Sequence, residues 1–255
     1  MQEADQARLR VIAQRITAVV VCVGALEIVC RAGWVSPATL IAPSAMVVAM
    51  IRALGDPATL GDFGLTLSEV AAATAVAAAV GVVAGLALHA LPRIRYAFEP
   101  LIASYYALPL FALYPVLVVI FGVGPRPIIA TGVLYAAMSV VVGTLAGLDR
   151  VPAVFRKAAK VHRLGPLKTA TRILVPACAP EILGGIALSV GYAFVAVIAS
   201  EFLLASAGIG HAIADAYNTF QTARMYGLVL ALALLVVIIN SALRRFRSHL
   251  AVGRP

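Results

Sequence analysis

Six long apolar runs constrain this chain more than any other feature. They cover residues 11–30, 65–90, 98–121, 128–148, 182–205 and 225–243. Each is close to the roughly 20 residues an α-helix needs to cross ~30 Å of hydrocarbon. A chain of 255 residues is 62% hydrophobic and 12% charged, where a soluble domain runs nearer ~45–50% and ~25%. That leaves too little polar surface to cover a water-exposed globule and excludes a disordered chain, a collagen, a soluble enzyme core and a secreted disulfide scaffold. The expected fold is an all-α integral membrane protein in which residues 1–255 form a single transmembrane domain of six helices. Cys22, Cys30 and Cys178 show no framework spacing and are expected as buried or interfacial thiols. Arg8, Arg10 and Arg15 precede the first run as in a signal peptide, but the run is long and no A-x-A pattern follows it, so it is expected to stay as an anchor.

Charge placement orients the helices. Six spans put both termini on one side. That side collects Arg8, Arg10, Arg15, Arg93 and Arg95, seven basic residues between Arg150 and Arg172, and Arg244, Arg245, Arg247 and Arg254. Sixteen of the twenty Lys and Arg fall there, leaving Arg31, Arg52, Arg126 and Arg224 on the other face. Basic residues accumulate in cytoplasmic loops. The N- and C-termini are therefore expected in the cytoplasm, and the net charge of +9 calls for no nucleic acid.

The third run is interrupted by Pro100, Pro109 and Pro115 and ends at Phe121-Gly-Val-Gly124. Each interior proline removes a backbone hydrogen bond and crowds the preceding turn. Broken backbone at membrane depth survives only inside protein or beside a water-filled cavity, so this span is either an ordinary kinked helix or one that lines a pathway. Candidate pathway residues are Tyr105, Tyr106, Leu108, Pro109, Tyr114 and Pro115 here, and Ser189, Tyr192 and Phe194 in the fifth span. Among ionisable residues within spans, Glu201 is a gate or scaffold candidate, with Glu69 near the same outer end. Glu27 has Arg31 one turn away, and His89 is expected to reach the interface. Residues 43–62 and 208–224 look amphipathic, lying along the interface or packing on neighbouring spans.

The segment 149–180 is basic and broken at Pro152, Gly165-Pro166, Pro176 and Pro180. Between the breaks, 154–162 and 167–174 each carry an apolar face, which reads as an exposed helix–turn–helix. Phe155-Arg-Lys-Ala-Ala159 followed by Ile173-Leu-Val-Pro176 resembles the cytoplasmic E-A-A loop of ABC-importer permeases. Further matches follow in order: Ala42-Pro-Ser44, Leu108-Pro109 with Tyr114-Pro115, and Ser200-Glu-Phe202 with Gly208-Ile-Gly210. Together they resemble the nitrate/sulfonate/taurine branch of binding-protein-dependent permeases over about residues 40–245. Two departures stand out. Lys157 occupies the glutamate position, and Arg163 occupies the usual glycine position, with a displaced turn expected at Gly165-Pro166.

The resemblance implies a type I ABC importer permease fold and a bacterial inner-membrane location. It implies an ABC ATPase dimer, a second permease subunit (an identical or related chain) and an extracytoplasmic substrate-binding protein as partners. ATP and magnesium would sit on the ATPase, since this chain has no phosphate-cradling G-x-x-x-x-G-K-[ST] loop; no cofactor or metal is expected on the chain itself. Phe155, Lys157, Ala158, Ala159, Lys160, Gly165, Leu167 and Pro176 would form the ATPase-coupling loop. The implied function is ATP-driven import of a small oxyanion, sulfonate, organic acid or vitamin precursor. The alternatives are an ion-coupled secondary transporter, which needs a polar coupling-ion site near the membrane centre, and a membrane subunit without transport activity.

Overall fold

The computed structural model describes residues 2–252, and the side chains of all but 2–12, 16, 156, 160 and 246–252. Every regular element among the described residues is a helix. Five helices are long and apolar enough to cross a membrane, or six if one sharply bent pair counts as a single span. The chain divides into two compact units, Met1–Leu60 with Ala212–Ala233 and Gly61–His211 with Leu234–Pro255.

In the first unit, α1 (Gln2–Arg31) is followed by α2 (Pro43–Leu54). Pro43 opens α2 with its ring at a position where no N–H is needed. The next orphan donor, the Ser44 N–H, gives its hydrogen to Glu27 Oε2 at 3.0 Å, and the Ser44 hydroxyl donates to Glu27 Oε1 at 2.7 Å. The Arg31 Nε–H also donates to Oε1, at 2.6 Å. A carboxylate at a helix N-terminus complements the helix dipole. The Pro-Ser dipeptide is thus a helix start held by α1, and Glu27 meets Ser44 as well as the expected Arg31.

The amphipathic stretch expected over 43–62 divides. After α2, Asp56 caps α3 (Pro57–Ala90), accepting from the Ala58 N–H at 3.1 Å and the Thr59 hydroxyl at 3.3 Å. The second span therefore starts eight residues before the apolar run at Leu65. Likewise 208–224 resolves into α11 (Ile209–Asn218) and the first turn of α12 (Thr222–Val252). Thr222 and Tyr226 of that turn donate to the Ala38 and Thr39 carbonyls.

The third run is the main departure. It comprises α4 (Pro92–Ser104), two short 3₁₀ turns at Tyr105–Ala107 and Leu110–Leu113, and α5 (Tyr114–Phe121). The halves meet at 90°. Pro109 stands at the break and Pro115 in the first turn of α5, whereas Pro100 is accommodated inside α4. Gly122 and Gly124, at φ 78° and 132°, reverse the chain into α6 (Pro125–Arg150).

The core of the second unit joins α3, α5, α6 and α10 (Ala179–Leu204) through Val70, Ala73, Tyr114, Ala136, Phe194 and Val197. Along α6 and α10 the backbones nearly touch. A Cβ at Gly143 would lie 2.8 Å from the Glu181 carbonyl oxygen, and one at Gly185 would lie 2.7 Å from that of Ser139. Small residues permit such close approach, which replaces the hydrophobic drive that lipid does not supply. Cys178 is buried against Leu148, Val151 and Ile182, and burial pushes its thiol above the ordinary range.

Candidate functional site

The loop between α6 and α10 folds as two short helices. α7 covers Ala153–Val161 and α8 covers Pro166–Thr169, with a π-helical turn at Ala170–Leu174 and α9 at Val175–Ala177. The turn between α7 and α8 is not displaced to Gly165. Arg163 adopts φ 48°, and the Leu164 N–H closes back on the Ala159 carbonyl at 3.0 Å, the helix-ending pattern usually built on glycine. Gly165 keeps an ordinary φ of −66°. Arginine therefore stands on a left-handed backbone at this position.

Pro176 accounts for the π turn. A proline within a helix clashes with the carbonyl four residues earlier, here that of Arg172, and a widened turn relieves the clash. Such single π turns frequently mark functional places.

The apolar side chains of the loop divide by exposure. Val154, Phe155, Val161 and Leu167 are 64%, 44%, 79% and 76% exposed. Lys157, Ala158 and Pro176 are also exposed. Ala159 is not: it is only 3% exposed, which corrects its expected place on a partner-facing surface. Lys160 lies on α7, and its side chain is outside the described residues. Beneath the loop an open cleft of about 640 Å³ is lined by Arg150, Phe155, Arg172, Ile173, Pro176 and Glu181, among others. Arg150 and Glu181 pair across it at 3.3 Å. At the same end of the unit, Arg95 grips Asp149 with two bonds of 2.7 Å, and His89 Nδ1 lies 3.4 Å from that carboxylate. The ends of α3, α4 and α6 are thereby tied together.

The broken span presents an aromatic cluster. Tyr106 stacks on Tyr192 at 4.5 Å between centroids, and Tyr105 meets Tyr106 edge-on at 5.7 Å. Offset-stacked and edge-to-face arrangements are the favoured geometries for such rings. The Tyr105 hydroxyl donates to the Leu134 carbonyl at 2.6 Å, anchoring the break to α6. Leu108, Pro109 and Pro115 are exposed. Tyr114, Ser189 and Phe194 are buried in the core, and the Ser189 hydroxyl is turned back onto the Ile186 carbonyl at 2.7 Å. These three brace the unit and do not line a surface.

Glu201 is fully buried. Its Oε1 accepts from the Thr66 hydroxyl at 2.8 Å and its Oε2 from the Gly210 N–H at 2.8 Å. Thr66 Oγ1 in turn accepts from the Ile209 N–H at 3.0 Å, and Asp62 Oδ1 from the Gly208 N–H at 3.1 Å. Three successive N–H groups at the start of α11 are thus satisfied by side chains of α3 and α10. Gly208, at φ 96°, and Gly210 both sit against the Glu201 side chain, where a Cβ would collide. Glu69, one turn beyond Thr66 along α3, is buried beside Glu201. Asp62 and Thr66 were not singled out in the sequence. Their signal was the spacing 62, 66, 69, a polar stripe at i, i+4, i+7 on an otherwise apolar helix.

Apolar helices of spanning length, one pair of them sharply bent at an aromatic cluster, and an exposed amphipathic helical loop together place the chain among all-helical membrane-embedded proteins. Residues 77–252 match the family described as binding-protein-dependent transport system inner membrane component, and the chain belongs to that family. It is 28% identical over 154 residues to the nitrate import permease protein NrtB of Synechococcus elongatus, covering 60% of this chain and 55% of that protein. The chain thus spans about half the length of that relative. It is 23% identical over 244 residues to the taurine transport system permease protein TauC of Escherichia coli, covering 91% and 89%. In fold it is similar to a chain of the MetNI methionine ABC transporter, with a TM-score of 0.65 and 17% identity, covering 76% of this chain and 96% of that one.

Proposed function

We propose that this chain is the membrane-spanning subunit of an ATP-driven importer for a small solute, with nitrate-like oxyanions and sulfonates as the substrate classes its relatives' names suggest. It works with a separate ABC ATPase dimer, a second permease chain and an extracytoplasmic binding protein. ATP and magnesium are held by the ATPase, and no cofactor by this chain. The observation that carries this reading is the exposed apolar face of α7 and α8 on a loop joined to two spans. Large apolar side chains left exposed on an amphipathic loop outside the spans suit a contact with another protein. Phe155, Val161 and Leu167 form the wedge, Lys157 and Lys160 tune partner choice by charge, and Arg163, Gly165 and Pro176 set the loop's shape. The aromatic cluster of Tyr105, Tyr106 and Tyr192, with Leu108 and Pro109, faces the translocation pathway, and Glu201 fixes the start of α11 as a scaffold. The charge asymmetry supports cytoplasmic termini and a cytoplasmic loop.

Co-purification tests the assignment. The permease is expected to carry an ATPase through detergent extraction. The pair is expected to hydrolyse ATP faster when the binding protein and its solute are added, while the isolated chain hydrolyses none. Hydrolysis by the isolated chain, or no ATPase association, would contradict it.

A further inference from the structure

The cleft beneath the loop between α6 and α10 lies at a defined depth. The last packed layer between these helices is Leu148, Val151, Cys178 and Ile182. The apolar runs of the two spans stop at Leu148 and resume at Ile182. The cleft begins just past that layer, where hydrocarbon gives way to headgroups. Its walls are apolar at Phe155, Ile173 and Pro176, and its charged groups are Arg150, Arg172 and Glu181. At about 640 Å³ it falls within the ~300–1,000 Å³ of ordinary ligand sites.

The charges lining the cleft do not balance. Glu181 is the one carboxylate among the lining residues, and it meets Arg150 at 3.3 Å. Arg150 stays 75% exposed in that pair, so most of its N–H donors remain open. Arg172 makes no ion pair among the described residues. Asp149, next to Arg150 in the chain, is already taken by Arg95. A guanidinium without a carboxylate of its own, beside apolar walls at headgroup depth, fits an anion that brings its own hydrocarbon. The bilayer supplies that molecule, because basic pockets at the membrane ends of spans take the phosphates of anionic lipids.

We propose that this cleft holds an anionic phospholipid, its phosphate between Arg172 and Arg150 and its glycerol and upper chain against Phe155 and Ile173. Arg150 closes α6 and Arg172 lies in the π turn. A phosphate shared between them ties the end of a span to the second half of the loop. Glu181 competes with that phosphate for Arg150. The site is set by depth and charge, so it stands or falls apart from the importer reading.

The test uses the full-length permease in nanodiscs of phosphatidylcholine with a rising fraction of phosphatidylglycerol, and reads amide hydrogen exchange across residues 150–177. In wild type, phosphatidylglycerol is expected to slow exchange in the loop. The fraction giving half of that effect is expected to rise about fivefold in Arg172→Gln, the loss of one cation at the membrane surface. It is expected to fall about threefold in Glu181→Gln, which frees Arg150 from a half-exposed ion pair. In pure phosphatidylcholine both variants are expected to melt as wild type does, because neither side chain belongs to the packed layer. An equal half-effect fraction in Arg172→Gln and wild type overturns the proposal, as does weaker binding in Glu181→Gln. So does equal protection by glycerol 1-phosphate added over pure phosphatidylcholine, which assigns the cleft to a free phosphate. A defect of Arg172→Gln seen only as weaker ATPase co-purification in neutral lipid assigns the residue to that contact and overturns it too.

Discussion

Arg163 holds a left-handed, helix-ending turn without the glycine that usually builds one. Its left-handed φ of 48° costs an L-residue with a Cβ about 1–2 kcal/mol relative to glycine. Arg163→Gly is therefore expected to stabilise the protein by about 1 kcal/mol, read as a melting temperature a few degrees higher in detergent. Gly165→Ala is expected to shift it by no more than about 0.5 kcal/mol, since that backbone is ordinary and the site is open. The opposite ranking would place the turn at Gly165. From sequence alone the missing glycine pointed to a moved turn, because composition records which residues favour φ > 0 and not which backbone the neighbouring contacts impose. Glu201 teaches the complementary lesson. Its match to the family pattern was legible, whereas its partners Thr66 and Gly210 lie 135 and 9 residues away in sequence, and only folding brings them together.

At the scale of elements, the long helices were legible because crossing a bilayer demands uninterrupted apolar length, and α6, α10 and α12 lie close to the apolar runs. The bend in the third span was not. Prolines mark where a helix fails and say nothing of the angle, which the 3₁₀ turns and the Tyr105 anchor on α6 set at 90°. The loop helices α7 and α8 were legible from their amphipathic pattern. Which apolar residues face inward was not, since periodicity does not distinguish a helix's own support from its partner. Ala159 and Val161 separate the two roles. Ala159→Asp puts a charge in a buried site and is expected to destabilise the loop by about 3 kcal/mol or more, read as rapid proteolysis between α6 and α10. Val161→Asp, at an exposed position, is expected to leave proteolysis unchanged yet reduce ATPase co-purification at least tenfold. Unchanged co-purification for Val161→Asp would remove α7 from the coupling surface.

Across the whole molecule, sidedness and energy source decide the function. Sixteen of twenty basic residues assigned to one face predict that single cysteines at Lys168 and Asp215, both exposed, react from opposite sides of intact cells in a cysteine-free background. Labelling of both from outside would refute the six-span topology. The most direct measurement is solute uptake into proteoliposomes containing the permease, its ATPase and its binding protein, with ATP on the loop side or an ion gradient as the only energy source. A coupled permease accumulates solute with ATP and not with a proton or sodium gradient, and loses that accumulation in Val161→Asp while still inserting. Gradient-driven accumulation without ATPase, or full ATP-driven uptake by Val161→Asp, would contradict it.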